Sequence, residues 1–170
     1  MRCIAQGTLI ASLERNYAVG QESSVLLNNG DPLRLRTTPP PAVYLSLGQR
    51  FEIVRDDAIT DGPYRVHTRE YWYQFSLEDG RELFAFHWTP DAADSRQRRY
   101  PHLHVGVALL LPETPILPGV LHKRHIPTGR ISIENIVRFA IEELGAEPLI
   151  DTWHDVLDQG QQQFNSYRRP

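Results

Sequence analysis

The sequence predicts an α+β fold: a mostly antiparallel β-sheet meander with two C-terminal helices packed on one face. Between residues 43 and 111, apolar side chains recur with the two-residue period of strands, whereas after residue 130 they recur with the period of helices. A length of 170 residues suits one domain with its own core. We therefore expect residues 1–170 to form a single domain, with residues 43–170 as its main body.

Residues 1–42 precede this body as an N-terminal extension with a less regular pattern. Residues 4–13 fit either a strand or a short helix, and residues 24–27 fit a strand. Residues 28–32, Asn-Asn-Gly-Asp-Pro, predict a turn. Residues 37–42 contain three consecutive prolines, which favour an extended connector to the main body.

The meander is predicted from four strands, of which the first three are connected by tight turns and the last two by the polar loop of residues 91–99. The Asp79-Gly80 dipeptide supplies the positive φ that a hairpin needs, and residues 60–63, Thr-Asp-Gly-Pro, predict an earlier turn. The predicted strands cover residues 51–54, 64–75, 82–88 and 101–111.

Two helices are predicted after the strands. Apolar residues from Ile133 to Leu144 form one stripe at helical spacing, with Ser132 placed to cap the start of the helix and Gly145 to end it. A second helix begins at Thr152, which forms a capping-box pattern with Asp155. Both helices are expected on the same face of the sheet.

The composition excludes several classes of protein. Hydrophobic residues make up 41% and charged residues 23% of the chain, which is typical of a soluble globular protein rather than a disordered one. The single cysteine, Cys3, cannot form an internal disulfide, and this favours a reducing compartment. The longest apolar run, Val105 to Leu111, is too short to span a bilayer, and Gln6 and Gly7 interrupt the N-terminal apolar tract. We expect a cytoplasmic protein without a membrane partner.

His102 and His104 are the most informative pair of residues for function. Because side chains alternate along a strand, two histidines separated by one residue lie on the same face. Their mutual repulsion when protonated separates their pKa values, so one could act as a base and the other as an acid near neutral pH. We expect His102 and His104 to be the catalytic residues if the protein is an enzyme.

A basic segment surrounds the histidine pair. Residues 95–130 hold six basic side chains against one acidic side chain, although the whole chain has a net charge of -3. Such a patch favours an anionic partner, for example a phosphate backbone. Thr128 and Gly129 also precede a predicted helix N-terminus, which is a favourable position for an anion. The expected phosphate-binding residues are Arg98, Arg99, Lys123, Arg124 and Arg130.

The spacing of the histidines in the sequence excludes two known classes of enzyme that use paired histidines and leaves a zinc site possible. Histidine-triad nucleotide hydrolases need a third imidazole at position 106, where this chain has glycine. Two-histidine phosphoesterases need two distant His-x-Ser/Thr motifs, a spacing that His102 and His125 do not provide. A zinc site needs three or four ligands. His87, His102 and His104 could supply them if the strand of residues 81–88 pairs with the strand of residues 101–111.

A longer pattern of motifs resembles the TumE family of toxins from prokaryotic toxin-antitoxin systems. The shared order is Tyr64-Arg-x-His67, a strand ending in an Asp-Gly turn, Phe86-His-Trp-Thr-Pro, and Tyr100-Pro-His-x-His-Val. The resemblance covers about residues 60–145. It implies a toxin-like protein that acts on RNA and has an antitoxin partner.

Three functions are consistent with these observations. The leading hypothesis is metal-independent cleavage of RNA phosphodiesters by His102 and His104, with no cofactor. The first alternative is a non-catalytic module that binds nucleic acid or a protein. The second is a metal hydrolase with zinc on His87, His102 and His104. The leading hypothesis requires accessible histidines, whereas burial of both with hydrogen bonds to the backbone would indicate a structural role.

Overall fold

The computed structural model describes residues 3–4, 9–11, 18–38, 41–57, 62–91, 99–106, 109 and 124–167. Within these ranges the chain forms eight strands and then two helices. The strands are β1 (Leu9–Ala11), β2 (Glu22–Leu27), β3 (Leu33–Arg34), β4 (Tyr44–Arg55), β5 (Tyr64–Ser76), β6 (Glu82–Trp88), β7 (His102–Val105) and β8 (Ile126–Pro127). The helices are α1 (Ile133–Glu142) and α2 (Trp153–Tyr167).

All strands belong to one sheet, and every ladder between them is antiparallel. The order across the sheet is β1-β2-β4-β5-β6-β7-β8, and the short β3 also pairs with β4. From β4 to β8 this order follows the order of the chain, so these strands form a meander. The predicted α+β class, with a mostly antiparallel meander and two C-terminal helices, is confirmed.

One face of the sheet carries the aromatic core. The register aligns Leu45 with Phe75 and Phe75 with Phe84, so their side chains project from the same face. Phe139 of α1 packs on this face, with its ring 5.6 Å from that of Phe75 and 5.5 Å from that of Phe84. Leu157 of α2 is buried in the same core. We call this side of the sheet the helix face.

The start of α1 has the predicted cap. The Ser132 hydroxyl accepts a hydrogen bond from the backbone N–H of Asn135 at 3.1 Å, and the Asn135 side chain completes the capping box. Gly145, which follows the helix, has a φ of 67°, a conformation that glycine adopts without a steric cost. Within the described residues, no helix combines the length and apolar character needed to cross a membrane.

The N-terminal extension is part of the sheet. The strand alternative is correct for residues 9–11, because these residues form β1. β1 pairs with β2, and β2 in turn pairs with β4. The predicted turn after β2 is a single 3-10 turn at Asn28–Gly30, and its two asparagines have positive φ. Asparagine tolerates this conformation better than most residues. The connector prolines at positions 39 and 40 lie outside the described residues.

Two predicted strand boundaries were wrong. β4 begins at Tyr44 rather than at residue 51, because residues 48–50, Gly-Gln-Arg, interrupt the run of strand-forming side chains that the prediction followed. β7 ends at Val105 rather than at residue 111. At Gly106 the chain passes so close to the Glu82 carbonyl that a Cβ atom would overlap it. Most of the remaining segment, including residues 107–108, lies outside the described part of the chain.

Gly48 allows the Trp72 indole to lie against the sheet, and this contact leads to a stability prediction. A Cβ atom at position 48 would overlap the indole. Gly48→Ala should therefore lower the free energy of unfolding by about 1–3 kcal/mol in urea denaturation. Gly129→Ala is the matched control, because no atom lies within 4 Å of its added Cβ, and its effect should stay within about 0.5 kcal/mol. Equal effects of the two substitutions would contradict this explanation.

Candidate metal centre

The pairing of β6 with β7 places three histidines together. In this register His87 lies opposite His102, and Ala85 lies opposite His104. The three histidines therefore share one face, whereas Phe86, between Ala85 and His87 in the chain, belongs to the helix face. The conditional expectation that these two strands pair is confirmed. The site lies on the opposite side of the sheet from α1.

A fourth histidine, His125, joins this group from the residue before β8. The register pairs His102 with Pro127 and Leu103 with Ile126, so one further step brings His125 opposite His104. The ring centroids of His125 and His104 are 4.5 Å apart. His125 was not among the site residues predicted from the sequence. The signal that could have identified it was a further antiparallel strand after the meander, which would align His125 with His104.

The four imidazoles form a compact cluster, which we call the histidine cluster: His87, His102, His104 and His125. The ring centroid of His102 is 4.9 Å from that of His104, 4.9 Å from that of His125 and 5.9 Å from that of His87. His87 and His104 are 5.1 Å apart by the same measure. One ligand nitrogen from each of His87, His102 and His104 lies within 4.8 Å of the other two.

His102 is held in one tautomer by the backbone. Its side chain is buried, with 5% exposure, and its Nδ1 lies 2.8 Å from the Tyr100 carbonyl oxygen. A carbonyl oxygen can only accept, so Nδ1 carries the proton and donates it. Nε2 is then left with its lone pair. Histidine ligands of metals characteristically have such a second contact, which fixes the ring and directs the other nitrogen to the ion.

The cluster favours neutral imidazoles. Burial, and to a smaller extent repulsion from His102 and His125, lowers the pKa of His87 to about 4. Burial likewise lowers the pKa of His104 to about 4, with His87 as the next largest cause. At neutral pH both rings are therefore unprotonated. This is the form of histidine that binds a metal ion.

The donor set is made of nitrogen alone. Among the residues that the structure describes, His87, His102 and His104 are the one group of three or more histidine, cysteine or acidic side chains with convergent ligand atoms. Imidazole donors suit zinc, copper, iron and nickel, whereas magnesium and calcium prefer oxygen donors. The arrangement can therefore hold a transition metal ion.

The expected phosphate-binding residues have different positions relative to the cluster. Arg130 stacks on Trp88, with its guanidinium carbon 4.1 Å from the ring centroid. Trp88 follows His87 in β6 and packs near Tyr71 in the core, so Arg130 lies on the helix face and away from the histidines. Its expected role as a phosphate-binding residue stays a prediction.

Of the other four expected phosphate-binding residues, two are close to clustered histidines along the chain and two lie outside the described residues. Arg99 and Arg124 are exposed, and each is within three residues of a clustered histidine along the chain. Arg98 and Lys123 lie outside the described residues. Of the histidine pair, His102 is buried and hydrogen-bonded to the backbone, whereas His104 is partly exposed.

Comparisons of the chain with protein families, with curated proteins and with solved structures find no match. They therefore do not bear on the resemblance to the TumE family. The functional proposals depend on the geometry of the histidine cluster and on the residues around it.

The low pKa values lead to a prediction for the metal-free protein. The pKa of His87 is lower in the folded state than its ordinary value of 6.5, so the unfolded chain binds more protons between these two values. After treatment with a chelator, the free energy of unfolding should fall as the pH decreases from about 6.5 to about 4, with His87 contributing up to roughly 3 kcal/mol. Urea denaturation at a series of pH values measures this decline.

His87→Gln should make the decline shallower, because glutamine does not titrate. His154→Gln is the control, since His154 is exposed on α2 and stacks on Trp153, with the ring centroids 3.4 Å apart. The same decline in the wild type and in His87→Gln would contradict the assignment of this pH dependence to His87.

Proposed function

We propose that this protein is a zinc-dependent hydrolase in which His87, His102 and His104 hold the metal ion. The observation that carries the proposal is the convergence of their three ligand nitrogens, which lie within 4.8 Å of one another. Around a tetrahedral zinc ion with Zn–N distances of about 2.0–2.1 Å, the nitrogens would be about 3.4 Å apart. Binding would therefore require the rings to move closer by about 1 Å, which small side-chain rotations can provide.

The strands and the hydrogen bond that hold the three histidines in place favour a preorganised site. His87 lies in β6, and His102 and His104 lie in β7, which pairs with β6 over four residue positions. The hydrogen bond from His102 to the Tyr100 carbonyl fixes one ring before any metal binds. A site with three protein ligands is typical of catalytic zinc, whereas structural zinc usually has four.

The proposed hydrolysis depends on the fourth coordination position of zinc, which three histidine ligands leave open. Zinc lowers the pKa of a bound water to about 7 and so generates hydroxide near neutral pH. Hydrolysis of a phosphodiester would form a bond from phosphorus to the oxygen of water and break the bond from phosphorus to the leaving oxygen, which would take up a proton from water. The substrate class that we propose is a phosphodiester, with RNA first, because Arg99 and Arg124 are exposed and are close to clustered histidines along the chain.

The resemblance to the TumE family favours the same substrate class and adds an antitoxin as the proposed protein partner. The metal-independent mechanism with His102 and His104 is the second candidate. His104 favours it, because this ring is partly exposed beside His102 and could exchange a proton with a bound substrate. Burial of His102 weighs against a direct role for that residue.

Metal content is the first test of the proposal. Protein purified without a chelator should contain about one zinc per chain by elemental analysis. Substitution of His87, His102 or His104 by glutamine should lower zinc affinity by more than about 100-fold, since even loss of a ligand's hydrogen-bond partner costs 10–100-fold. His154→Gln should bind zinc like the wild type. Zinc affinity that none of the three substitutions changes would refute the site.

RNA cleavage is the second test. The zinc-loaded protein should cleave a labelled single-stranded RNA, a chelator should abolish the activity, and added zinc should restore it. His104→Gln should lower the rate by at least about 100-fold because it removes a metal ligand. Charge reversal at Arg99 and Arg124 should instead weaken RNA binding and make it less dependent on salt.

The same assay separates the alternatives. Cleavage that persists in the chelator but is lost in His102→Gln and His104→Gln would indicate the metal-independent mechanism. RNA binding without cleavage under either condition, together with normal binding by the histidine variants, would indicate a non-catalytic module.

A further inference from the structure

His125 has no role in a site with three ligands, although it is close to two of them. Its ring centroid is 4.5 Å from that of His104 and 4.9 Å from that of His102. Like His104, its ring is partly buried. A fourth imidazole beside a three-imidazole site can either complete the coordination sphere or leave it open, and the two arrangements have different consequences for substrate access.

The ligand nitrogens of His125 do not belong to the group that converges in the structure, so coordination by all four rings requires the His125 ring to turn towards the ion, and the spacing of the ring centroids permits this. When four imidazoles bind zinc tetrahedrally, their ring centroids are about 5 Å apart, because each centroid is about 3.2 Å from the metal. The distances from His102 to His104 and to His125 are both 4.9 Å, and the distance from His87 to His104 is 5.1 Å. β7 lies between β6, which carries His87, and β8, which follows His125, so the ion would have to draw these two rings together.

The strand that follows His125 is short within the described part of the chain. There, β8 consists of Ile126–Pro127 and pairs with β7 at two positions, and Pro127 has no backbone N–H to donate. Beyond it, the Thr128 N–H donates to the Pro101 carbonyl at 2.8 Å. His87, in contrast, lies in β6, which is paired on both sides. Elements with few hydrogen bonds open at lower free energy, so His125 is the ligand that could most readily leave the metal.

We propose that His125 is the fourth ligand of the metal in the resting protein and that an anionic substrate displaces it. This inference rests on the proposed metal centre. In the exchange, the bond from the metal to the His125 nitrogen breaks and a bond from the metal to a substrate oxygen forms, with no change in oxidation state. The exposed Arg124, next to His125 in the chain, would attract the incoming anion to the same place.

Cobalt(II) is a suitable probe, because the visible absorption of tetrahedral cobalt depends on its ligands. Wild type, His125→Ala and the control His154→Ala are each titrated with Co²⁺ alone, with added imidazole, and with inorganic phosphate. His125→Ala should bind one Co²⁺ per chain with affinity lowered about 10–100-fold and with shifted absorption bands, and imidazole should restore the wild-type bands. Phosphate should move the wild-type bands towards those of phosphate-treated His125→Ala. His154→Ala should match the wild type throughout.

Several outcomes would overturn the inference. Equal Co²⁺ affinity and equal spectra of wild type and His125→Ala would show that His125 is not a ligand. A wild-type spectrum that phosphate does not change would show that His125 is not displaced. In both cases, a loss of Co²⁺ binding in His104→Gln would leave the proposed metal centre intact. If the wild type binds no Co²⁺, the metal centre and this inference both fail.

Discussion

The structure depends on the antiparallel register between β6 and β7. The same ladder that places His87 opposite His102 places Phe86 opposite Leu103 and Phe84 opposite Val105. Because neighbouring side chains point to opposite faces, a shift of one residue would send the imidazoles into the aromatic core and the aromatic rings to the histidine side. The burial of apolar surface therefore determines the register, and the register in turn assembles the histidine cluster.

This arrangement separates the residues that stabilise the fold from those that carry the proposed chemistry. Phe139 of α1 is in contact with the rings of Phe75, Phe84 and Phe86 on the helix face, and none of these contacts involves a histidine. Burial, and after it the proximity of the other imidazoles, makes protonation of His87 and His104 costly, as their low pKa values indicate. Binding of a metal ion to the neutral rings would offset that cost.

Local patterns in the sequence predicted the features that depend on local geometry. Alternation placed His102 and His104 on one face, and the Ser132 and Gly145 signals bounded α1 correctly. The N-terminal half of β4 was missed because residues 48–50, Gly-Gln-Arg, have no apolar or β-branched side chain and separate it from the predicted strand of residues 51–54. His125 was missed for another reason. Its position depends on which strand ends beside β7, and that is a property of the whole chain path.

A pattern of charges in the sequence does not determine which group a basic side chain contacts, and Arg130 is an example. Its place in a basic segment favoured an anion, but a guanidinium can also stack on an aromatic ring, and the neighbouring Trp88 provides one. The sequence contains no signal that distinguishes these two partners. Solvent-exposed Arg99 and Arg124, in contrast, retain positions in which an anion could reach them.

The acceptor that orients His102 is a main-chain carbonyl, that of Tyr100. Every amino acid has this group, so a change of side chain at position 100 leaves the acceptor in place as long as the backbone path is kept. A mutation at position 100 therefore does not remove the group that fixes the His102 tautomer. In a site where a side-chain carboxylate orients the histidine, a mutation of that residue would remove it. Evolution could therefore vary the exposed aromatic ring at position 100, and with it the surroundings of the site, without altering the direction of the His102 lone pair.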